Sequence, residues 1–139
     1  MARELAFLDT NVLVYAIDLN EPAKRARALE LLGTESGPDL ICGTQVLGEL
    51  FNALTRKLRM PAKEAAAEVR NYMPLSRVAV DSDLVERAMR LYAERSISYW
   101  DALIVAAAAR SGATTLFTED LNDGEEMLGV RIVNPFAGL

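Results

Sequence analysis

The chain has 139 residues, of which 51% are hydrophobic and 25% charged, with a formal net charge of −5 and no histidine. This length suits one domain with a single core over residues 1–139, and the apolar fraction excludes a disordered chain. Without histidine, catalysis by histidine bases or histidine-bound metals is excluded, which leaves carboxylates, lysine, hydroxyls or a metal held by oxygen ligands.

The predicted elements alternate between strand and helix along the chain. The predicted strands are residues 5–8, 39–42, 75–80, 114–118 and 130–133. The predicted helices are residues 11–18, 21–32, 44–59, 61–74, 82–95 and 98–111, with Thr44, Ser82 or Asp83, and Ser98 as predicted N-caps. This order predicts an α/β fold with helices on both faces of a parallel sheet of about five strands.

The apolar runs and the cysteine content indicate a reducing compartment. No apolar run approaches the roughly 20 residues of a membrane helix, and the N-terminus lacks the pattern of a signal peptide. The single cysteine, Cys42, lies in an apolar run and is expected to be a core residue. We therefore expect a cytoplasmic protein that does not contact membranes.

Four acidic residues are predicted to lie near the sheet edge at which the strands end. Asp9 follows the first strand and Asp120 follows the strand at 114–118. Asp101 lies in the first turn of the helix at 98–111, and Glu49 lies a little over one turn into the helix at 44–59. Because the carboxyl ends of parallel strands share one edge, the four carboxylates can meet there.

For two of these acids, a role as a helix cap explains the residue as well as a role in a site does. Asp9 suits the N-cap of the first helix, and Asp101 suits a capping box with Ser98. Asp101 is also the only charged residue from 96 to 109, in a helix that is apolar almost all round. An unpaired charge in a buried helix is costly, so Asp101 is expected to have a partner.

The other acids are more ambiguous. Glu49 suits a solvated helix face, and Asp120 lies among ordinary turn residues. Asp123 precedes Gly124, and a turn alone explains that pair.

Convergence of the acids would favour a bound cation. Two carboxylates roughly 6 Å apart repel by about 3 kcal/mol at an effective dielectric of 20. A divalent cation removes that penalty, and ligands that are all oxygen favour Mg²⁺ or Mn²⁺ over zinc. Such an ion lowers the pKa of an attacking water and stabilises charge at a phosphate.

Four motifs in this order resemble the PIN-domain superfamily, and within it the VapC-type toxins of toxin–antitoxin modules. They are Leu8 to Tyr15 (LDTNVLVY), Glu49 to Leu54 (ELFNAL), Tyr99 to Ala108 (YWDALIVAAA) and Leu116 to Gly124 (LFTEDLNDG). The resemblance spans essentially the whole chain and implies a single PIN domain over residues 1–139, a three-layer α/β/α sandwich.

The resemblance also implies the site and the activity. The four acidic positions of the family fall on Asp9, Glu49, Asp101 and Asp120 as catalytic residues and metal ligands, with Asp123 as a further acid and Thr10, Asn11 and Thr118 as supporting polar residues. The implied activity is that of a Mg²⁺- or Mn²⁺-dependent endoribonuclease, the toxin of a type II system. The implied partners are an RNA substrate, a cognate antitoxin that alone contacts DNA, and a second copy in a homodimer.

The negative net charge does not exclude RNA. Arg56, Lys57 and Arg59 cluster near one helix end and are candidates for contacts with RNA phosphates, although a solvated helix face explains them too. Two other functions stay open: a PIN fold kept only for protein binding, and a phosphatase with Asp9 as nucleophile. The phosphatase class expects a second Asp at the position that Asn11 holds here.

Overall fold

The computed structural model describes residues 3–139 as a six-stranded sheet with six α-helices. The strands are Leu5–Leu8 (β1), Asp39–Gly43 (β2), Ser76–Val78 (β3), Thr115–Phe117 (β4), Glu126–Met127 (β5) and Val130–Val133 (β6). The helices are Thr10–Tyr15 (α1), Pro22–Gly33 (α2), Thr44–Arg56 (α3), Ala62–Tyr72 (α4), Ser82–Glu94 (α5) and Tyr99–Arg110 (α6). A short 3₁₀ turn, Met73–Leu75, precedes β3.

The sheet confirms the predicted α/β class. The strand order is β3-β2-β1-β4-β6-β5, and every pair is parallel except β5 with β6. Helices cover both faces, as a mostly parallel sheet requires. Phe7 of β1 is fully buried and pairs with Ile41 of β2 and Leu116 of β4, so the core is built around the central strands.

The sixth strand was not predicted from the sequence. Glu126 and Met127 pair with β6 through a tight hairpin in which Leu128 has φ 52° and Gly129 has φ 78°. Two consecutive positive φ angles are typical of hairpin turns that match the twist of the strands. A strand of two residues is too short to show an alternation of apolar and polar side chains. Leu rarely adopts a positive φ, so the sequence gives no sign of a turn at that position.

Thr44 is not the cap of α3, so that prediction is wrong by one residue. Gly43 is the N-cap and Thr44 is the first helical residue. A Cβ at position 43 would lie 2.9 Å from the carbonyl oxygen of Val78, so the close approach of β2 and β3 requires glycine there. The Thr44 hydroxyl instead accepts a hydrogen bond from the backbone of Val80 at 3.3 Å.

The predicted cap of α5 is also displaced. Asp81, rather than Ser82 or Asp83, is the N-cap, and its Oδ1 accepts from the backbone N–H of Leu84 at 2.9 Å. The same oxygen lies 2.9 Å from the Arg110 guanidinium, which joins the start of α5 to the end of α6. Ser98, in contrast, is the N-cap of α6 as predicted.

The register of the central strands places two loops side by side. Leu8 pairs with Phe117, so the residues that follow them, Asp9 and Thr118, leave the same edge of the sheet as neighbours. The backbone N–H of Asp9 donates to the carbonyl of Phe117 at 3.0 Å. This edge is where the predicted site lies.

The helix α6 passes through the core. Every residue from Ala102 to Ala108 is buried, as the apolar sequence predicted. Over residues 3–139, no helix has both the length and the apolar character needed to cross a membrane.

Candidate functional site

Asp9 is buried at the end of β1 with both carboxylate oxygens hydrogen-bonded. The residue is 4% exposed. Oδ1 accepts from the backbone N–H of Thr10 at 2.7 Å, and Oδ2 accepts from the Thr118 hydroxyl at 2.7 Å. Asp9 is therefore the N-cap of α1 and is also held in a fixed orientation at the sheet edge.

Three carboxylates come together at this edge. Asp9, Asp101 and Asp120 each offer an oxygen, and these oxygens lie within 4.8 Å of one another. Asp9 is buried, Asp101 is half-buried and Asp120 is exposed, so the cluster, called here the acidic group, opens to solvent on one side. The structure thus brings together three of the four acids that the sequence analysis singled out.

Asp101 enters the acidic group from the first turn of α6. The Ser98 hydroxyl accepts from the backbone N–H of Asp101 at 3.1 Å. Within residues 3–139, the Asp101 carboxylate does not return a bond to the Ser98 backbone, so only half of the capping box forms. The carboxylate instead lies close to those of Asp9 and Asp120.

Glu49 lies beside the acidic group rather than within it. Its Oε2 accepts from the Thr10 hydroxyl at 3.4 Å, and its Oε1 accepts from the Gln45 amide at 2.6 Å. The same amide nitrogen contacts the carbonyl of Trp100 at 3.2 Å, which ties α3 to the start of α6. Glu49 is therefore positioned by α3 at the rim of the site, with Thr10 between it and Asp9.

Thr118 and Asn11 hold the acidic loops in place. The buried Thr118 hydroxyl donates to Asp9 and accepts from the backbone N–H of Asp120 at 3.1 Å. The Asn11 amide donates to Asp120 Oδ2 at 3.1 Å and to the Thr118 hydroxyl at 3.3 Å. All three polar residues predicted to support the acids, Thr10 included, contact at least one of them.

The remaining predicted residues are distributed differently. Asp123 is exposed and outside the acidic group, and its Oδ1 accepts from the backbone N–H of Asn134 at 2.8 Å. Of the three basic candidates, Lys57 lines a cavity that also contacts Asp120. Arg56 and Arg59 are exposed and do not line that cavity.

The acidic group carries more negative charge than its surroundings compensate. Burial raises the pKa of Asp9 to about 7; hydrogen bonds from Thr118 and Thr10 oppose this rise, and the charges of Asp120 and Glu49 add to it. Burial is also the main cause of the raised pKa values of Glu49 and Asp101. Within residues 3–139, no lysine or arginine forms a salt bridge with these acids.

The donor set fits a hard divalent cation. The three clustered ligand atoms are carboxylate oxygens, and neither nitrogen nor sulfur joins them in the described part of the chain. Oxygen donors of this kind suit Mg²⁺ or Mn²⁺. A cation would also supply the positive charge that the surrounding side chains do not.

One network beside the site was missed from the sequence. Lys24 of α2 donates to Glu119 at 3.0 Å and to the Tyr15 hydroxyl at 3.1 Å, and that hydroxyl donates to the other oxygen of Glu119. Lys24 also lies 4.6 Å from the centre of the Tyr15 ring. Glu119 directly precedes Asp120, so the network fixes the loop that carries an acid of the acidic group.

Comparison with known proteins identifies similar sequences and folds. A family model described as PIN domain matches residues 6–122. Among solved structures, VapC20 from Mycobacterium tuberculosis, described as a sarcin–ricin loop cleaving toxin, is 28% identical with a TM-score of 0.65, covering 80% of this chain and 86% of its own. No curated protein matches the chain.

Two further structures show the same fold at lower identity. FitAcB from Neisseria gonorrhoeae is 20% identical with a TM-score of 0.69, covering 95% of this chain and 99% of its own. VapBC2 from Rickettsia felis, bound to a DNA fragment from its promoter, is 19% identical with a TM-score of 0.64, covering 92% of this chain and 96% of its own.

Proposed function

The chain belongs to the PIN domain family, and from that membership we propose that it is a metal-dependent endoribonuclease, the toxin of a type II toxin–antitoxin system. One observation carries the proposal: three carboxylates from distant segments lie within 4.8 Å without a lysine or arginine paired to them in the described chain. Such an arrangement is stable only when a cation or protons neutralise it.

In this proposal Asp9 and Asp101 hold Mg²⁺ or Mn²⁺ most directly, with Asp120 and Glu49 acting directly or through water. The ion, when bound, supplies a water of lowered pKa and stabilises charge on the phosphate. The hydrogen bonds from Thr10 and Thr118 fix the Asp9 carboxylate before any ligand arrives, so little reorganisation is needed. The exposed Asp120 lies on the open side, where an RNA strand would approach.

The structural relatives support the choice of substrate and partners. The relative from M. tuberculosis is described as cleaving the sarcin–ricin loop, an RNA, and at 28% identity it is similar in sequence as well as fold. The R. felis structure is a complex bound to promoter DNA. We therefore propose RNA as the substrate, a cognate antitoxin as the partner that alone contacts DNA, and a homodimer as the assembly.

A cleavage assay with purified protein tests the proposal. The wild type is incubated with a panel of structured and unstructured RNAs in Mg²⁺, Mn²⁺ or EDTA. We expect cleavage with either metal and none in EDTA, and we expect Asp101→Asn to reduce the rate roughly 100-fold or more. Asp83→Asn, an exposed acid on α5, is the matched control and should cleave like the wild type.

The outcomes separate the proposal from its alternatives. Cleavage that is equal in wild type and Asp101→Asn, or absent from the wild type on the whole panel, would contradict it. A folded wild type that binds an antitoxin without cleaving RNA would instead indicate a binding module. Trapping of a phosphoaspartate at Asp9 would indicate a phosphatase, although the Asn11 amide here donates to Asp120 where that class expects a second acid.

A further inference from the structure

Two cavities flank Asp120. One has a volume of about 270 Å³ and is lined by Lys57 together with Asn11, Tyr15, Glu119 and Asp120; it is called here the Lys57 cavity. The other has a volume of about 220 Å³ and is lined by Asp101, Asp120 and Glu125 with several hydroxyl and amide groups. A strand whose reacting phosphate lies at the acidic group would extend into these two spaces.

The charge on the walls distinguishes the cavities. Lys57 is exposed and forms no salt bridge within residues 3–139. The carboxylate on the same wall, Glu119, is already paired with Lys24 at 3.0 Å and accepts from the Tyr15 hydroxyl. Of the charged groups that line this cavity, the Lys57 ammonium and the Asp120 carboxylate therefore have no salt-bridge partner in the described chain, and Lys57 is the one that is positive.

The second cavity offers no comparable cation. Its lining residues include no lysine or arginine. Glu125 is paired with Arg95 at 2.8 Å, so the carboxylates of Asp101 and Asp120 are the ones that repel an anion there. An ammonium group binds phosphate as a point charge, without the strict geometry that a guanidinium needs. Of the two cavities, the Lys57 cavity therefore combines closeness to the acidic group with a lysine that has no salt-bridge partner in the described chain.

We propose that the Lys57 cavity binds the RNA phosphate that neighbours the scissile one, and that Lys57 is the residue that holds it. This inference rests on the proposed function and adds a binding subsite to it. Val14 and Ala53 line the same cavity and give the attached nucleoside an apolar surface. The strand would then cross Asp120 with one anchored phosphate beside the reacting one.

Salt dependence of RNA binding tests the subsite. Binding of a short fluorescein-labelled oligoribonucleotide is followed by anisotropy in EDTA, where the wild type does not cleave, over a range of NaCl concentrations. The plot of log K against log salt has a negative slope, and loss of one phosphate contact makes it shallower by about 0.7 for a single strand. We expect this change in Lys57→Gln and recovery of the wild-type slope in Lys57→Arg.

The matched control removes a charge from a cleft away from the acidic group. Arg77 of β3 is exposed and lines a cleft with Arg3 and Asp39, which contains none of the three clustered carboxylates. Arg77→Gln changes the net charge by the same amount and should leave the slope unchanged. Equal slopes in Lys57→Gln and Arg77→Gln, in proteins with matching circular dichroism and melting temperature, would overturn the subsite.

Cleavage kinetics separate failure of the subsite from failure of the proposed function. With Mn²⁺ present, we expect Lys57→Gln to raise KM several-fold while kcat stays near the wild-type value. If the wild type cleaves RNA and Lys57→Gln has an unchanged KM and slope, only the subsite is wrong. If the wild type binds RNA with a Lys57-dependent slope but never cleaves it, the subsite stands and the proposed function fails. A wild type that does not bind RNA contradicts both.

Discussion

The Thr118 hydroxyl donates a 2.7 Å hydrogen bond to Oδ2 of Asp9, across 109 residues of sequence. Both side chains are buried, and the parallel pairing of β1 with β4 brings them together. Oδ1 of Asp9 is already taken by the backbone of Thr10, so the carboxylate has little freedom to rotate. The carboxylate that we propose as a ligand for a divalent cation is thereby oriented by the same strand register that builds the core.

Replacing Thr118 by Val should weaken cation binding. The change removes the donor to Asp9 and leaves the Asn11 amide and the Asp120 N–H without one acceptor. We expect Mn²⁺ affinity to fall about tenfold and the free energy of unfolding to fall by about 1–3 kcal/mol. Titration calorimetry and urea unfolding measure these two quantities.

Two variants control this experiment. Thr118→Ser keeps the hydroxyl and should retain most of the affinity. Thr115→Val, in the strand β4 that precedes Thr118, also converts threonine to valine but at a position outside the acidic group, and should bind Mn²⁺ normally. Unchanged binding by Thr118→Val would show that the Thr118 hydroxyl does not position Asp9.

The metal-free protein should lose stability as the pH rises. The Asp9 carboxyl titrates near 3.8 in the unfolded chain and at about 7 in the folded one. Between these values the folded state binds more protons, so the free energy of unfolding falls with increasing pH. The shift corresponds to a loss on the order of 4 kcal/mol once the pH is above both values.

Urea unfolding in EDTA from about pH 5 to about pH 8 measures the larger part of this loss, which begins near the unfolded pKa of 3.8. Asp9→Asn cannot titrate and should show a shallower decline, with the remainder due to the raised pKa values of Asp101 and Glu49. Saturating Mn²⁺ should restore stability most at the upper end of the range. Identical pH profiles for wild type and Asp9→Asn would contradict the charge assigned to Asp9.

Lys24→Met should disturb the loop that carries Asp120. It leaves Glu119 partly buried without its cation, since Lys24 is the only salt-bridge partner of Glu119 in the described chain. We expect a loss of about 1–3 kcal/mol in the free energy of unfolding and a lower cleavage rate. Thermal unfolding and initial cleavage rates follow the two effects.

The exposed pair of Arg90 with Glu86 is the comparison for Lys24. Arg90→Met removes a salt bridge whose side chains are 74% and 52% exposed. Pairs of this kind contribute little, about 0–1 kcal/mol. Equal losses in Lys24→Met and Arg90→Met would mean that the network around Glu119 has no special role.

The site residues whose positions could be predicted from the sequence lie at the ends of strands and the starts of helices. Asp9 and Asp120 each come shortly after a strand, and Asp101 is the only charged residue from 96 to 109, so their convergence follows from parallel topology. The fold class follows from the same alternation of elements. The side chain of Glu49 was harder to place, because a small rotation of α3 separates a position at the rim from one within the acidic group, and the sequence does not resolve such a rotation.

The contacts that were not predictable depend on distances between elements. Lys24 and Glu119 are 95 residues apart, and nothing in either neighbourhood marks the other as its partner. The choice among Arg56, Lys57 and Arg59 likewise depends on where α3 ends, which is at Arg56 rather than at the predicted position 59. Gly43 was overlooked as a cap because the reason for a glycine at this position is its close contact with β3, an element that is distant in sequence.

The most direct test of the account is the rate of RNA cleavage as Mn²⁺ is titrated into EDTA-stripped wild type and Asp9→Asn. Asn at position 9 can still cap α1, so folding should be preserved while one charge of the acidic group is lost. We predict saturable activation of the wild type and no activation of Asp9→Asn. Activation of both proteins to the same rate, or cleavage by the wild type that does not depend on Mn²⁺, would contradict the account.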